Sequence, residues 1–233
     1  MRAEGAAFPA GGYPNRRGRR VVQSRMHLHR HRRLVTPLVL LLFTSFAFAQ
    51  SAQQNAADAE WLIRNLEIHE GSAVGEIGAG DGELTVAMAK AVGPTGTVFS
   101  NELNKERLAA LPRAAEKAGV KNVTPIEGHE ADTGFSDSCC DAIFMRNVYH
   151  HFGEPAAMNA SLFKSLKPGG RLAVIDFTPP GEEAEKPSGR SVDGFHGVKP
   201  QTVARELLAA GFEVISAEAH NRTVQVVARK PPR

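Results

Sequence analysis

The sequence predicts a doubly wound, Rossmann-like α/β domain with a mainly parallel sheet and a C-terminal antiparallel hairpin. Three observations carry that expectation. From residue 58 onward, apolar runs of strand length alternate with amphipathic runs of helix length, the pattern of a parallel sheet with right-handed crossovers. The first strand passes through a glycine turn straight into a helix. The last two strands alternate in polarity and are separated by a short polar connection, as antiparallel neighbours are.

The opening unit spans Ala73 to Val92. Val74 to Ile77 read as a short buried strand, Gly78-Ala79-Gly80-Asp81-Gly82 as the turn, and Glu83 to Val92 as a helix. Glycine suits a turn that bends sharply and lets a ligand come close to the backbone, so this order predicts a nucleotide-cofactor site. The dinucleotide fingerprint requires a small residue five places after its first glycine, and that place holds Glu83. Here the third glycine arrives one residue early, and an acid, Glu76, precedes the first by two.

Asp58, after a polar linker over 50–57, is expected to cap a first helix containing Trp61, Leu62 and Leu66. Thr97 to Leu103 is a second strand ending near Glu102, placed where a doubly wound sheet offers a carboxylate to ribose hydroxyls. Asn104 caps a helix that Gly119 ends. Asn122 to Glu127 is a third strand, and Pro125 argues for an outer position because it removes a ladder hydrogen bond. Cys140 to Val148 is a nearly continuous apolar strand, covered on both faces and followed by Tyr149-His150-His151-Phe152.

A helix over 154–166 is expected to stop at Lys167-Pro168-Gly169-Gly170, with a fifth strand over 171–177 ending near Asp176, a residue able to orient a substrate. Thr178 to Gly197, rich in Pro, Gly and Glu, reads as a flexible lid or substrate loop. A helix over 199–210 and two strands, 212–217 and 223–229, complete the chain.

The formal net charge of +3 is unevenly distributed. Nine of the 28 basic residues and one of the 25 acidic ones lie in the first 49 positions, so the remainder carries a net −5. That balance gives no footprint for nucleic acid. Residues 26–49 combine a cationic segment, an apolar run and the sequence Ala47-Phe48-Ala49, and are read as a secretory signal peptide. Residues 1–25 are read as an upstream or disordered extension. Cleavage near Ala49 implies an exported domain, periplasmic or secreted, with no stable membrane span; an uncleaved leader would anchor it. Cys139 and Cys140, the only cysteines, are expected to be two small buried hydrophobes at a strand entrance. The paired histidines lack a nearby third ligand in the sequence, so no metal is expected.

E-I-G-A-G-D-G, the acid at Glu102, D-A-I-F-M-R-N-V-Y-H-H and L-K-P-G-G-R-L together resemble the class I S-adenosylmethionine (SAM)-dependent methyltransferases of the small-molecule type, over about residues 58–230. The resemblance implies SAM as cofactor and a small-molecule methyl acceptor. It places Glu76, Gly78, Gly80 and Gly82 against the methionine part and Glu102 on the ribose, with His129 and Glu130 near the adenine. Many members have Asp where His129 stands. Asn147 and Arg146 fall at the ligand edge, with Tyr149 and His150 toward the acceptor. His196, an imidazole in the long loop, is the general-base candidate. Two other readings remain open: a non-catalytic binding scaffold on the same fold and an NAD-dependent oxidoreductase.

Overall fold

The computed structural model describes residues 36–232, with side-chain surroundings from Ser51 onward. The extension over 1–25 and the cationic part of the leader lie outside the described residues. Seven strands form one sheet in the order β3-β2-β1-β4-β5-β7-β6. They are β1 (Ala73–Ile77), β2 (Thr97–Glu102), β3 (Val123–Glu127), β4 (Cys140–Arg146), β5 (Leu166–Phe177), β6 (Glu213–His220) and β7 (Thr223–Arg229). The first five are parallel, β7 runs antiparallel to β5, and β6 antiparallel to β7. This is the expected doubly wound sheet with its terminal hairpin, and Pro125 lies on the edge strand β3. Strand order reverses at β1, which pairs with β2 on one side and β4 on the other, opening a crevice beyond their carboxyl ends.

Helices α1 (Thr36–Asn65), α2 (Glu83–Ala91), α3 (Lys105–Lys117), α4 (Pro155–Ser165) and α5 (Pro200–Ala209) accompany the sheet. Alternation along each strand divides the core. Val74, Val98, Ala142 and Phe144 join Leu62 and Leu66 of α1 and Met88 of α2 in one cluster. Ile143, Met145, Leu172 and Val174 join Leu162 of α4 and Leu207 of α5 in the other. Each such fully buried aliphatic side chain contributes about 1.5–3 kcal/mol relative to exposure.

Four expectations need correction. Asp58 does not cap a helix: α1 is already helical before it, through the Ala/Gln-rich stretch read as a linker, and Asp58 instead pairs with Arg146 at 3.1 Å. Lys167 to Gly170 does not separate helix from strand. These residues form a bulged start to β5, where the register jumps from Cys140 opposite Leu166 to Ala142 opposite Arg171, and the Gly169 N–H donates to the Lys230 carbonyl. Cys139 and Cys140 are joined to each other as a disulfide, beyond a turn in which the Cys139 N–H donates to Ser136. Finally, the connection between β6 and β7 is only Asn221-Arg222, both at positive φ, the two-residue hairpin geometry that matches strand twist.

The loop over 178–199 is anchored rather than free. Arg190 is buried and grips Glu206 of α5 through both terminal nitrogens, at 2.5 and 3.1 Å. Tyr149 donates its phenol to the same carboxylate at 3.0 Å, and Asn159 of α4 donates to Tyr149 at 2.8 Å. Glu183 accepts from the Lys199 N–H and the Thr202 hydroxyl, closing the start of α5. No helix among the described residues is long and apolar enough to cross a membrane.

Removing one member of a buried charged pair strands the other, at a cost of about 3 kcal/mol or more. Glu206→Ala is therefore expected to lower the unfolding free energy by about 3 kcal/mol in urea titrations, and to make the loop around Arg190 the first site of protease cleavage.

Candidate functional site

The glycine turn leaves β1 held by β2. The N–H groups of Gly78 and Ala79 both donate to the Asn101 carbonyl, and Gly78 also donates to the Asn101 side chain. Asn101 in turn donates to the Thr133 carbonyl, so one buried amide ties the turn to the segment beyond β3. Gly78 has φ +74, and a Cβ there would lie 2.6 Å from Val148. Gly80 has φ +56, yet a Cβ there would meet nothing within 4 Å, because it borders open cavity. Gly82 stands apart from the cavity wall and starts α2, and a Cβ on it would lie 3.0 Å from Leu111 of α3.

The cavity beyond these strand ends has a volume of about 940 Å³. That is near the top of the usual ~300–1,000 Å³ range for ligand pockets. Its wall carries the acids Glu76, Asp81, Glu83, Glu102, Glu130 and Glu154, against the cations Arg107 and Arg146. The excess of negative charge favours a cationic ligand.

Glu76 is the most constrained of these acids. It is buried at the tip of β1 and accepts from the hydroxyls of Thr85 and Ser100. Burial pushes its carboxyl up to about 7, against the opposing pull of those two hydroxyls and of Arg146. A carboxylate enclosed by two neutral donors, and opening onto a cavity, is the partner a cationic amine calls for. Glu102 accepts from the Gly80 N–H at 2.8 Å and from the Asn104 N–H at 2.9 Å. A carboxylate has about four lone-pair sites, so acceptor capacity remains for hydroxyl groups. Gly128 lets the next segment run against Glu102, since a Cβ there would lie 3.1 Å from its backbone, and this brings the exposed His129 and Glu130 to the far wall.

These observations decide the family together with a match of residues 68–210 to a family model described as a methyltransferase domain. The chain belongs to the methyltransferase-domain family. A ubiquinone/menaquinone biosynthesis C-methyltransferase from Burkholderia vietnamiensis is 33% identical over 141 residues, covering 58% of this chain and 56% of that protein. A protein of the same description from Marinomonas is 30% identical over 122 residues, covering 52% and 49%. The chain thus spans about half the length of the curated relatives it matches. The solved structure of a SAM-dependent methyltransferase from Aquifex aeolicus superimposes with a TM-score of 0.64 at 25% identity, covering 74% of this chain and 89% of that one. SAM is the cofactor of such domains, and the enclosed carboxylate, open glycine and second acid fit its charged amino acid and its sugar.

In this methyltransferase domain the structure brings Glu76, Gly78, Gly80, Glu102, His129, Glu130 and Asn147 to one cavity. It does not bring Tyr149 there. The Tyr149 ring is fully buried against Phe152, its hydroxyl is committed to Glu206 and Asn159, and burial followed by the Glu206 charge pushes its ionisation well above the usual phenol range. His150 is likewise buried and outside the wall. Its Nδ1 meets Asp176 at 2.8 Å and its Nε2 meets Nε2 of His196 at 3.0 Å. Asp176 therefore orients a histidine rather than a substrate. Of the adjacent pair it is His151 that lies in the wall, its Nδ1 2.9 Å from the Ser191 hydroxyl. Partial burial of the ring, then the neighbouring His150, holds its ionisation below the usual histidine value.

Sequence reasoning misses three contributors. Ser100 and Asn101 do not stand out in a strand that also holds Thr97 and Glu102, and Asn55 of α1 reaches both Arg146 and Glu83 across the cavity rim.

Two outcomes follow. Gly80→Val adds a side chain where only open cavity exists, at a backbone cost of about 1–2 kcal/mol. It is expected to leave the circular dichroism spectrum intact while abolishing the calorimetric signal for S-adenosylhomocysteine. The Glu76 carboxyl ionises near pH 4.5 when unfolded but near 7 when folded. The folded state consequently holds the extra proton between those values, and the ligand-free protein loses stability as pH rises from 4.5 to 7, by up to about 3 kcal/mol. In Glu76→Gln that part of the slope disappears from urea titrations taken across this range.

Proposed function

We propose that the protein transfers the methyl group of SAM to a small-molecule acceptor after export from the cytoplasm. The observation that carries the reading is the enclosed Glu76 carboxylate facing an acid-lined cavity, a site built for a cation. The activated group arrives with SAM itself, so the chain's own residues bind, align and exclude water. Glu76 with the backbone of the glycine turn takes the amino-acid end, Glu102 the ribose hydroxyls, and the 128–130 segment the adenine. His129 provides at most one acceptor nitrogen there, and only when neutral.

The acceptor occupies the side of the cavity lined by Arg146, Asn147, His151 and Phe152. Arg146 is fixed by Asp58 and Asn55 and supplies a positive charge toward an anionic or enolic oxygen. His151 presents its imidazole to this side of the cavity, with His150 and His196 behind it. Export rests on the cationic, apolar and Ala-Phe-Ala succession of residues 26–49.

Calorimetry with S-adenosylhomocysteine and with NAD, followed by transfer of labelled methyl from SAM to fractions of a periplasmic or culture extract, tests the reading. Binding of the first ligand alone, with label recovered in a low-molecular-weight product, is the expected result. Binding without transfer would leave a scaffold, and binding of NAD alone would overturn the cofactor assignment. Because a cationic amine favours ionised Glu76, affinity for S-adenosylhomocysteine is expected to rise as pH passes through about 7, the value to which burial raises that carboxyl. Glu76→Gln is expected to flatten the rise.

A further inference from the structure

Beside the proposed acceptor space, three imidazoles converge. His150 and His151 come from the short 3-10 turn after β4, and His196 from the far end of the anchored loop. One ring nitrogen from each lies within 4.8 Å of the others. In the sequence the third ring is 45 positions from the nearer of the pair, and only the fold brings it in.

The orientation of these rings is set from outside the cluster. Asp176 is buried, and its carboxylate accepts from His150 Nδ1, from the His150 N–H and from the Phe177 N–H. With Nδ1 occupied as a donor to the carboxylate, the neutral ring directs the lone pair of Nε2 outward. The Ser191 hydroxyl holds His151 Nδ1 in a similar way and leaves its other nitrogen available. A carboxylate or hydroxyl on the remote nitrogen is what fixes tautomer and direction in metal-binding histidines. The Nε2 atoms of His150 and His196 are 3.0 Å apart. Two nitrogens bound to one ion at ~2.0–2.1 Å stand about 3.0–3.4 Å apart, depending on the angle between them.

We propose that His150, His151 and His196 form a binding site for a divalent first-row transition-metal ion of the zinc class. Three neutral imidazoles, with no thiolate or carboxylate oxygen among the ligands, select against magnesium and calcium, which take oxygen ligands. Drawing the widest pair together requires His151, the exposed ring of the three, to move by about 1–2 Å. Three protein ligands leave a fourth position open. A water or a ligand oxygen would complete the coordination there, and His151 is the one ligand that also lines the cavity. The site is separate from the Glu76 and Glu102 end and does not depend on methyl transfer; metal binding and S-adenosylhomocysteine binding are read independently.

The test uses the full chain without a histidine tag, stripped with chelator and titrated with Co²⁺ while visible absorption is followed, then challenged with Zn²⁺. His27, His29 and His31 of the leader add the same background to every variant. The wild type is expected to bind one Co²⁺ per chain more than His196→Ala or His151→Ala, with ligand-field bands that Zn²⁺ removes. Ser191→Ala and Asp176→Asn are expected to weaken binding by about 10- to 100-fold while keeping the stoichiometry. Circular dichroism identifies any variant that fails to fold, and exposed His151 and Ser191 keep the comparison available if Asp176→Asn does so. Equal uptake and identical spectra in the wild type, His151→Ala and His196→Ala would overturn the site and leave His150 and His196 as a hydrogen-bonded pair.

Discussion

One buried carboxylate organises the ligand end of this protein. Glu76 sits at the tip of β1, where the strand order reverses, and the hydroxyls it accepts from belong to α2 and β2. That single group therefore fixes the distance between the first strand, its neighbour and the helix that the glycine turn begins. Two neutral hydroxyls compensate an enclosed negative charge only in part, and the raised ionisation of Glu76 measures the shortfall. The ligand-free site is thus held in a state that a cation relieves, and stability is exchanged for affinity at the same atoms.

A second buried charge has a comparable effect elsewhere in the domain. Arg190, Glu206, Tyr149 and Asn159 form one hydrogen-bonded chain that connects the long loop to α5, the turn after β4, and α4. Its effect on the site is indirect. With Arg190 fixed, Ser191 and His196 are delivered to His151 and His150, so the arrangement of imidazoles is a consequence of an ion pair that touches none of them. This explains why a segment with the composition of a mobile lid is well placed: its length is polar and exposed at the tip but tethered at Glu183 and Arg190.

The parts of this architecture legible in the sequence are those set by neighbours along the chain. Strand period, the glycine turn, the Asn104 cap and the edge position implied by Pro125 are local, and the doubly wound order follows from their succession. What escapes is decided at long range. Tyr149 next to two histidines looks like an acceptor contact until Glu206, 57 positions later, takes its hydroxyl. His150 and His151 are indistinguishable as a dipeptide, and only the 3-10 turn after β4 determines that the first faces Asp176 and the second the cavity. The stretch before Asp58 misleads for the opposite reason, because its Ala and Gln residues are strong helix formers and their polarity alone suggests a linker.

The acid-rich wall has a further consequence for turnover under the methyl-transfer reading. The donor enters carrying a positive sulfur, and after transfer the same sulfur is neutral. Charge–charge attraction to Glu76, Glu102 and their neighbours therefore contributes to holding the donor and contributes less to holding what remains. At effective dielectric values of about 20, unit charges within several ångströms interact by a few kcal/mol, so the difference is large enough to matter for release. Arg146 tempers it: as a cation in the same wall, fixed by Asp58, it prevents the cavity from becoming so negative that an anionic acceptor is repelled. The distribution of charge thus divides one cavity into an end that prefers a cation and a rim that tolerates an anion, the polarity expected where an electron-rich atom is brought to a positive sulfur.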